Sequence, residues 1–579
     1  MNQAEIIASL PAHLRPFVKN QDYARYTPRD QAVWRFIMSH LTRQLADTAH
    51  PVYLEGLQRT GIALDHIPSI DEMNEALAKL GWRAVVVDGF IPPAIFMEFQ
   101  ALKVLVIALD MRTVDHILYT PAPDIVHESA GHAPFIVDVD YAEFLQLFGE
   151  IGMKAIASEA DFAVYEAIRA LSIIKESPAS TAEDIAAAED NLHKVTAENT
   201  DLSEAALLAR LHWWTVEYGL VGELDDYGIF GAGLLSSLGE SIHCLDDSRV
   251  RKVPLTVDAV NVPYDITRQQ PQLFVTRSCK HLSQVLQEFA ASMAFRRGGA
   301  ESLYKAREAG SVCTAQYDSG VQVSGRIVDV LTDAVGNVTW FRTAGPTQLA
   351  FRDREIYDHG IQTHAEGFSA PVGMLKDFSR CLSEYTVDEL RAHAIELDKP
   401  VRLEFLSGIT VAGTLRAIHR QEHHNLLLSF DDCTATGLEG KVLYQPEWGR
   451  FDMAVGARIE SVFGGTADRE AYQLYEPLPS STPEVDPPDS TLMALYLWID
   501  RAARDETTVQ PEDVTTLQDG LARFPGEWLL RVELQRLARR SPDLAPLLHQ
   551  AALELTEMSG DAALAPLLTL ALDALPEVA

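Results

Sequence analysis

Cysteine is scarce and unpatterned in this chain: Cys244, Cys279, Cys313, Cys381 and Cys433 are the whole complement in 579 residues. An odd number without a C-x-x-C pair argues against a disulfide framework or a zinc ribbon, and a reducing cytoplasm is the expected setting. Positive charge is also short, with 48 Lys and Arg against 83 Asp and Glu and a formal net charge of −35. Such a surface repels phosphate backbones and anionic lipid, so neither nucleic acid nor a membrane is expected as a partner. No uninterrupted apolar run reaches the roughly 18 residues of a spanning helix. The start, Met1-Asn2-Gln3-Ala4-Glu5, leads into no basic and then apolar stretch, so no signal peptide is expected.

What is there is globular in composition, 47% hydrophobic and 23% charged, and too long for one ordinary core. The expected fold is multi-domain α+β. Residues 1–300 read as a mainly helical domain with short strands. Val33, Trp34, Ile37, Met38 and Leu41 are spaced as on a helix over 31–47, while Ala84–Val87 and Val104–Ile107 read as strands. Residues 160–205 are rich in Ala, Glu and Leu and read as a helical hairpin, with Ser180 or Thr181 as a cap.

Residues 301–476 turn to β-branched residues and glycine turns, and here the chain repeats itself. Tyr317-Asp318-Ser319-Gly320-Val321-Gln322-Val323-Ser324-Gly325 matches Phe405-Leu406-Ser407-Gly408-Ile409-Thr410-Val411-Ala412-Gly413, and the same offset puts Asn337 on Asn425. This predicts a duplicated small β-barrel or sandwich, about 312–371 and 400–470, joined by a helical stretch near 372–398. His419, His423 and His424 in the second copy read as a polar hairpin turn rather than a metal site, because no carboxylate or cysteine lies at a suitable spacing. Residues 477–490 carry Pro477, Pro479, Pro483, Pro487 and Pro488 and read as an extended linker. Residues 491–579, rich in Leu and Ala, read as a C-terminal helical domain.

Chemistry concentrates in Pro123-Asp124-Ile125-Val126-His127-Glu128-Ser129-Ala130-Gly131-His132-Ala133-Pro134. Residues five apart on an α-helix lie about 140° apart round the axis, so His127 and His132 could not share one ion on a regular helix. The zinc-protease pattern spaces its histidines by four, which argues against a zinc hydrolase. Gly131 and Pro134 are expected to end or bend the helix at the second histidine and so let both imidazoles converge. A ferrous oxygen-activating site needs one carboxylate beside two imidazoles. Glu217, in the otherwise apolar Leu211-His212-Trp213-Trp214-Thr215-Val216-Glu217-Tyr218-Gly219-Leu220, is the candidate. On the residues alone it could equally be an exposed or ordinarily paired carboxylate.

Together with Gly231-Ala232-Gly233-Leu234-Leu235-Ser236-Ser237, these segments resemble the pterin-dependent aromatic amino acid hydroxylases, bacterial members above all, over roughly residues 20–290. The resemblance implies that His127, His132 and Glu217 ligate Fe(2+) and that Ser236 orients the first histidine. It implies that Arg112 clamps the substrate carboxylate with Asp124 behind it, that Thr120, Trp213 and Ile266 line the amino acid pocket, and that Gly89, Ile91, Phe96 and Glu128 meet the tetrahydropterin. An apolar Ile266 favours phenylalanine or tryptophan over tyrosine as substrate.

The chain departs from the family pattern in places. The His132–Glu217 interval is about twice the usual one, so 160–205 reads as an insertion. Val106, Pro93 and His212 differ from the animal enzymes, and the family core leaves 300–579 unexplained.

The expected activity is hydroxylation of L-phenylalanine to L-tyrosine with O2 and a reduced pterin. Hydroxylation of tryptophan or tyrosine, or a non-catalytic amino acid sensor on the same fold, are the alternatives. The C-terminal half is the candidate surface for homo-oligomerisation.

Overall fold

The computed structural model describes residues 2–87, 89–118, 123–177, 180–266, 268–477, 489–538, 542–562 and 564–573. Thr120 and the greater part of the proline-rich 477–490 segment lie outside them.

The N-terminal half is built on the helix Pro28–Leu45. Thr27 caps it, its side chain accepting from the Asp30 amide while Asp30 reaches back to the Thr27 amide. Trp34, Ile37, Met38 and Leu41 are fully buried. Strands Arg83–Val87 and Val104–Ala108 pair in parallel, Arg83 opposite Val104, and the helix Pro93–Ala101 makes the crossover between them. Their continuous Val/Ile runs suit strands covered on both faces. A second sheet runs in the order Asp226–Ile229, Leu220–Glu223, Gln272–Thr276, Arg251–Pro254 and lies directly after Glu217 in the chain.

Between His132 and Glu217, the helices Glu159–Glu176 and Ala182–Glu198 form a hairpin. Each starts with a capping box, Ser158 with Asp161 and Thr181 with Asp184, and Lys175 pairs with Glu189 at 2.8 Å across the two. Thr181, not Ser180, is therefore the cap. The hairpin's small core of Ala167, Leu171 and Leu192 also receives Ile266.

The β-rich half shows the repeat in its strands. Val312–Tyr317, Val321–Thr332 and Val338–Phe351 form one antiparallel meander, and Pro400–Glu404, Thr410–Gln421 and His424–Thr436 form the other at nearly the same positions 88 residues later. The copies do not close separately. Strand Ile459–Gly464, at the end of the second copy, pairs with Val312–Tyr317 of the first. Reciprocally, Leu375, after the first copy, bridges to Phe405. The second copy thus lends its last strand to the first copy's first strand, and the chain after the first copy meets the second just beyond its first strand. The helical connection near 372–398 shrinks to one turn, Leu382–Glu384, and the short helix Val387–Ala392.

The helices after residue 488 pack on Pro28–Leu45 and share one core with it, with Phe36 edge-on to Trp528 at 5.2 Å. Buried Arg35 reaches Glu533 at 3.1 Å and Asp500 at 3.2 Å. All five cysteines are free and buried. Among the described residues no helix is long and apolar enough to cross a membrane.

Candidate metal centre

His127 and His132 converge, by a device different from the expected bend. Val126–His132 is a π-helical turn, whose hydrogen bonds run from i to i+5 and stack residues five apart. Glu217 sits on a second such turn, Trp213–Glu217, continuing the α-helix Glu204–His212; there the Tyr218 amide donates to the Trp213 carbonyl. Two widened turns thus face each other.

The Nε2 atoms of His127 and His132 are 3.1 Å apart. Glu217 Oε2 lies 3.2 Å from the first, and Oε1 3.4 Å from the second. All three donors fall within 4.8 Å of one another. Those separations suit adjacent ligands about 2 Å from a common ion, and two imidazoles with one carboxylate leave the far side open. The donor set fits a ferrous ion. Burial opposes charge on Glu217, yet the two neighbouring histidines outweigh it and hold the carboxyl well below its ordinary range.

The third motif supplies the support. Ser236 Oγ donates to the Ala232 carbonyl at 2.7 Å, so its 3.0 Å contact with His127 Nδ1 is one in which the imidazole N–H donates. That fixes the proton on Nδ1 and turns the Nε2 lone pair toward Glu217 and His132. Two glycines allow the segments to approach. A Cβ on Gly131 would lie 2.8 Å from the Ala232 carbonyl oxygen, and one on Gly231 would lie 2.5 Å from that of Glu217.

Arg112 and Asp124 are buried together. Arg112 Nε and Nη2 donate to the two Asp124 oxygens at 2.7 and 2.8 Å, and Nη1 donates to the Ser236 carbonyl at 2.9 Å. Asp124 Oδ1 also accepts from the His127 amide at 2.9 Å. Against the cost of burial, the guanidinium and these amides keep the Asp124 carboxyl below its usual range. Arg112 therefore ties together the segments bearing His127 and Ser236, which the sequence did not foretell, and only its remaining N–H groups are free to meet a ligand.

The other expected residues divide. Phe96 and Glu128 line a small cavity beside His132, with Trp82, Val106 and Val216. Burial pushes the Glu128 carboxyl up to about 8, helped by Glu217 and Asp124 and opposed by His132. Ile91 packs with Phe96 on the apolar cluster behind the parallel strands, and Gly89 turns the chain with φ 67°. Trp213 is stacked between Tyr218 at 4.6 Å and Tyr264 at 4.4 Å, so both its faces are covered. Ile266 contacts the inserted hairpin.

His212, read from the sequence only as a departure, proves to be part of the site. Its Nδ1 is 3.7 Å from Glu217 Oε1, its ring is edge-on to Phe148 at 5.0 Å, and burial lowers its imidazole to about 4. The signal was present: His212 precedes Glu217 by the same five residues that separate His127 from His132.

Comparison with known proteins converges on this half. Residues 15–168 and 184–297 match the family described as biopterin-dependent aromatic amino acid hydroxylase, and the break falls within the inserted hairpin. Phenylalanine-4-hydroxylase of Pseudomonas aeruginosa is 29% identical over 267 residues, 46% of this chain and 85% of that protein. The Chromobacterium violaceum phenylalanine-4-hydroxylase is 29% identical over 268 residues, 46% of this chain and 75% of its own length. A crystal structure of the Chromobacterium violaceum enzyme with iron(III) and 7,8-dihydrobiopterin is similar at 27% identity and a TM-score of 0.39, covering 49% of this chain and 87% of that one.

Proposed function

Because the N-terminal half of this chain belongs to the biopterin-dependent aromatic amino acid hydroxylases, we propose that the protein hydroxylates the ring of L-phenylalanine to give L-tyrosine, consuming O2 and a tetrahydropterin at Fe(2+). The observation that carries the reading is the convergence of His127 Nε2, His132 Nε2 and a Glu217 oxygen on one point. These three residues hold the iron. Iron and reduced pterin together supply the oxidising power; the protein supplies geometry and a dry, shaped pocket.

Ser236 keeps His127 in the tautomer that offers Nε2. Arg112 and Asp124 fix the turn on which His127 sits, and the remaining N–H groups of Arg112 recognise the substrate carboxylate. Phe96 and Glu128 form the pterin side, where the Glu128 carboxyl meets the polar edge of the ring. The edge of Trp213 and Ile266 bound the amino acid side. Phe148, Val216 and the other apolar walls exclude water.

The finer organisation follows the same reading: a catalytic unit over 1–300 with the 160–205 insertion, a duplicated β region over 301–476, a linker over 477–490 and helices beyond. A cytoplasmic setting suits the five unbridged thiols.

The test offers phenylalanine, tyrosine and tryptophan separately to Fe(II)-loaded protein with tetrahydropterin and O2. Tyrosine from phenylalanine, in step with pterin oxidation, supports the proposal. Binding of phenylalanine without any product would instead favour a sensor.

A further inference from the structure

We propose that the β half of this chain holds a second metal ion, a divalent transition metal of the zinc class, ligated by His359, His364 and Asp452 where the two β copies meet. The proposal stands independently of the hydroxylase reading, since none of these residues belongs to the N-terminal half.

His359 Nδ1 and His364 Nε2 are 3.2 Å apart, and Asp452 Oδ2 lies 3.8 Å from the first and 3.9 Å from the second. A triangle with those sides has its centre about 2.1 Å from each corner, the length of a zinc–imidazole or zinc–carboxylate bond. The ordinary alternative is a hydrogen-bonded His–Asp cluster, but 3.8 and 3.9 Å are too long for hydrogen bonds. The 3.2 Å between the two imidazoles is within hydrogen-bond range, but the carboxylate stands off from both by a gap that matches an ion rather than a proton.

Position and charge point the same way. His359, His364 and Asp452 are 4%, 8% and 7% exposed. Among the described residues no Lys or Arg nitrogen is within ion-pair distance of Asp452; its recorded ionic neighbours are the two histidines. A buried carboxylate with no cationic side chain beside it costs several kcal/mol, which a divalent ion would offset.

The donors are also held from behind. The His359 carbonyl accepts from the Leu349 amide at 2.9 Å and the His364 carbonyl from the Thr347 amide at 3.0 Å, so the strand Val338–Phe351 pins the loop that carries both. Ser429 Oγ donates to Asp452 Oδ1, leaving Oδ2 toward the gap. The far nitrogen of His359, Nε2, sits 3.3 Å from His419 Nε2, an outer partner of the kind that orients metal-bound imidazoles.

Two ligands come from the first copy's loop and one from the second copy's strand Phe451–Ala454. The ion would therefore clamp the two copies together and stabilise the folded state by mass action.

The experiment strips full-length protein with chelator and titrates Zn(2+), and Co(2+) as an absorbing substitute, into four chains: wild type, His132→Ala, Asp452→Asn and the double variant. Circular dichroism verifies that each is folded. The account expects two ions per wild-type chain, one in each single variant and none in the double. Zinc should raise the melting temperature of His132→Ala but not of the double variant. Should Asp452→Asn misfold, His364→Gln takes its place. A folded His132→Ala chain that binds no ion, or a folded Asp452→Asn/His132→Ala chain that still binds one with the same cobalt spectrum as His132→Ala, would overturn the proposal.

Discussion

Ser236 accepts a hydrogen bond from His127 Nδ1 rather than donating one, because its own hydroxyl hydrogen is committed to the Ala232 carbonyl at 2.7 Å. The orientation of one ligand thus depends on a hydroxyl 109 residues away in the chain. Ser236→Ala should lower iron affinity or hydroxylation about 10- to 100-fold while the chain stays folded. Iron titration followed by turnover at saturating iron separates the two effects; unchanged affinity and turnover would remove Ser236 from the site.

Gly131 is where the π-turn meets the short helix leading to Ser236. A methyl there would lie 2.8 Å from the Ala232 carbonyl oxygen and 3.0 Å from the Ala232 side chain. Gly131→Ala should cost about 1–3 kcal/mol of stability through overpacking and loosen the contact between Ser236 and His127. Urea denaturation checks the first effect and iron affinity the second.

Arg35 has its carboxylate partners in the C-terminal helices: Glu533 at 3.1 Å and Asp500 at 3.2 Å. Removing one partner of a buried pair leaves a charge uncompensated, typically at about 3–5 kcal/mol. With Asp500 still present, Glu533→Ala should fall near the lower end, about 3 kcal/mol, measured by urea denaturation. A chain ending at residue 488 should be less stable still, since it bares Phe36 and strands Arg35.

Glu240 gives a pH signature of its own. It is 2% exposed, its Oε1 has no hydrogen-bond partner, and burial raises its carboxyl from 4.5 to about 7. The folded state therefore binds the proton more tightly than the unfolded one. Stability from this group is greatest below pH 4.5, falls through the interval to pH 7 and levels off above it. The loss is at most roughly 3 kcal/mol. Glu240→Gln should flatten that slope and be the more stable chain at pH 8; an identical pH profile for both would refute it.

Much of this was legible in the residues and some could not have been. The three motifs brought His127, His132, Glu217 and Ser236 to one place, the family resemblance added Arg112, and the 88-residue repeat located both meanders. The π-turns escaped because periodicity arguments assume 3.6 residues per turn, on which a spacing of five looks like divergence. The exchange of Ile459–Gly464 and Leu375 between copies escaped because strand partners are chosen by packing between repeats, which local alternation does not encode. His359, His364 and Asp452 escaped because the loop and the strand that carry them are far apart in sequence. The nearby His419, His423 and His424 drew attention to the hairpin instead, and of these only His419 faces the buried cluster.

The most direct test of the central claim is iron content and coupled turnover of Glu217→Gln, which keeps the shape of the side chain and removes its charge. The account predicts a folded chain in which iron at the N-terminal site falls to background and tyrosine formation is abolished. A Glu217→Gln protein that keeps iron at that site and converts phenylalanine at the wild-type rate would contradict it.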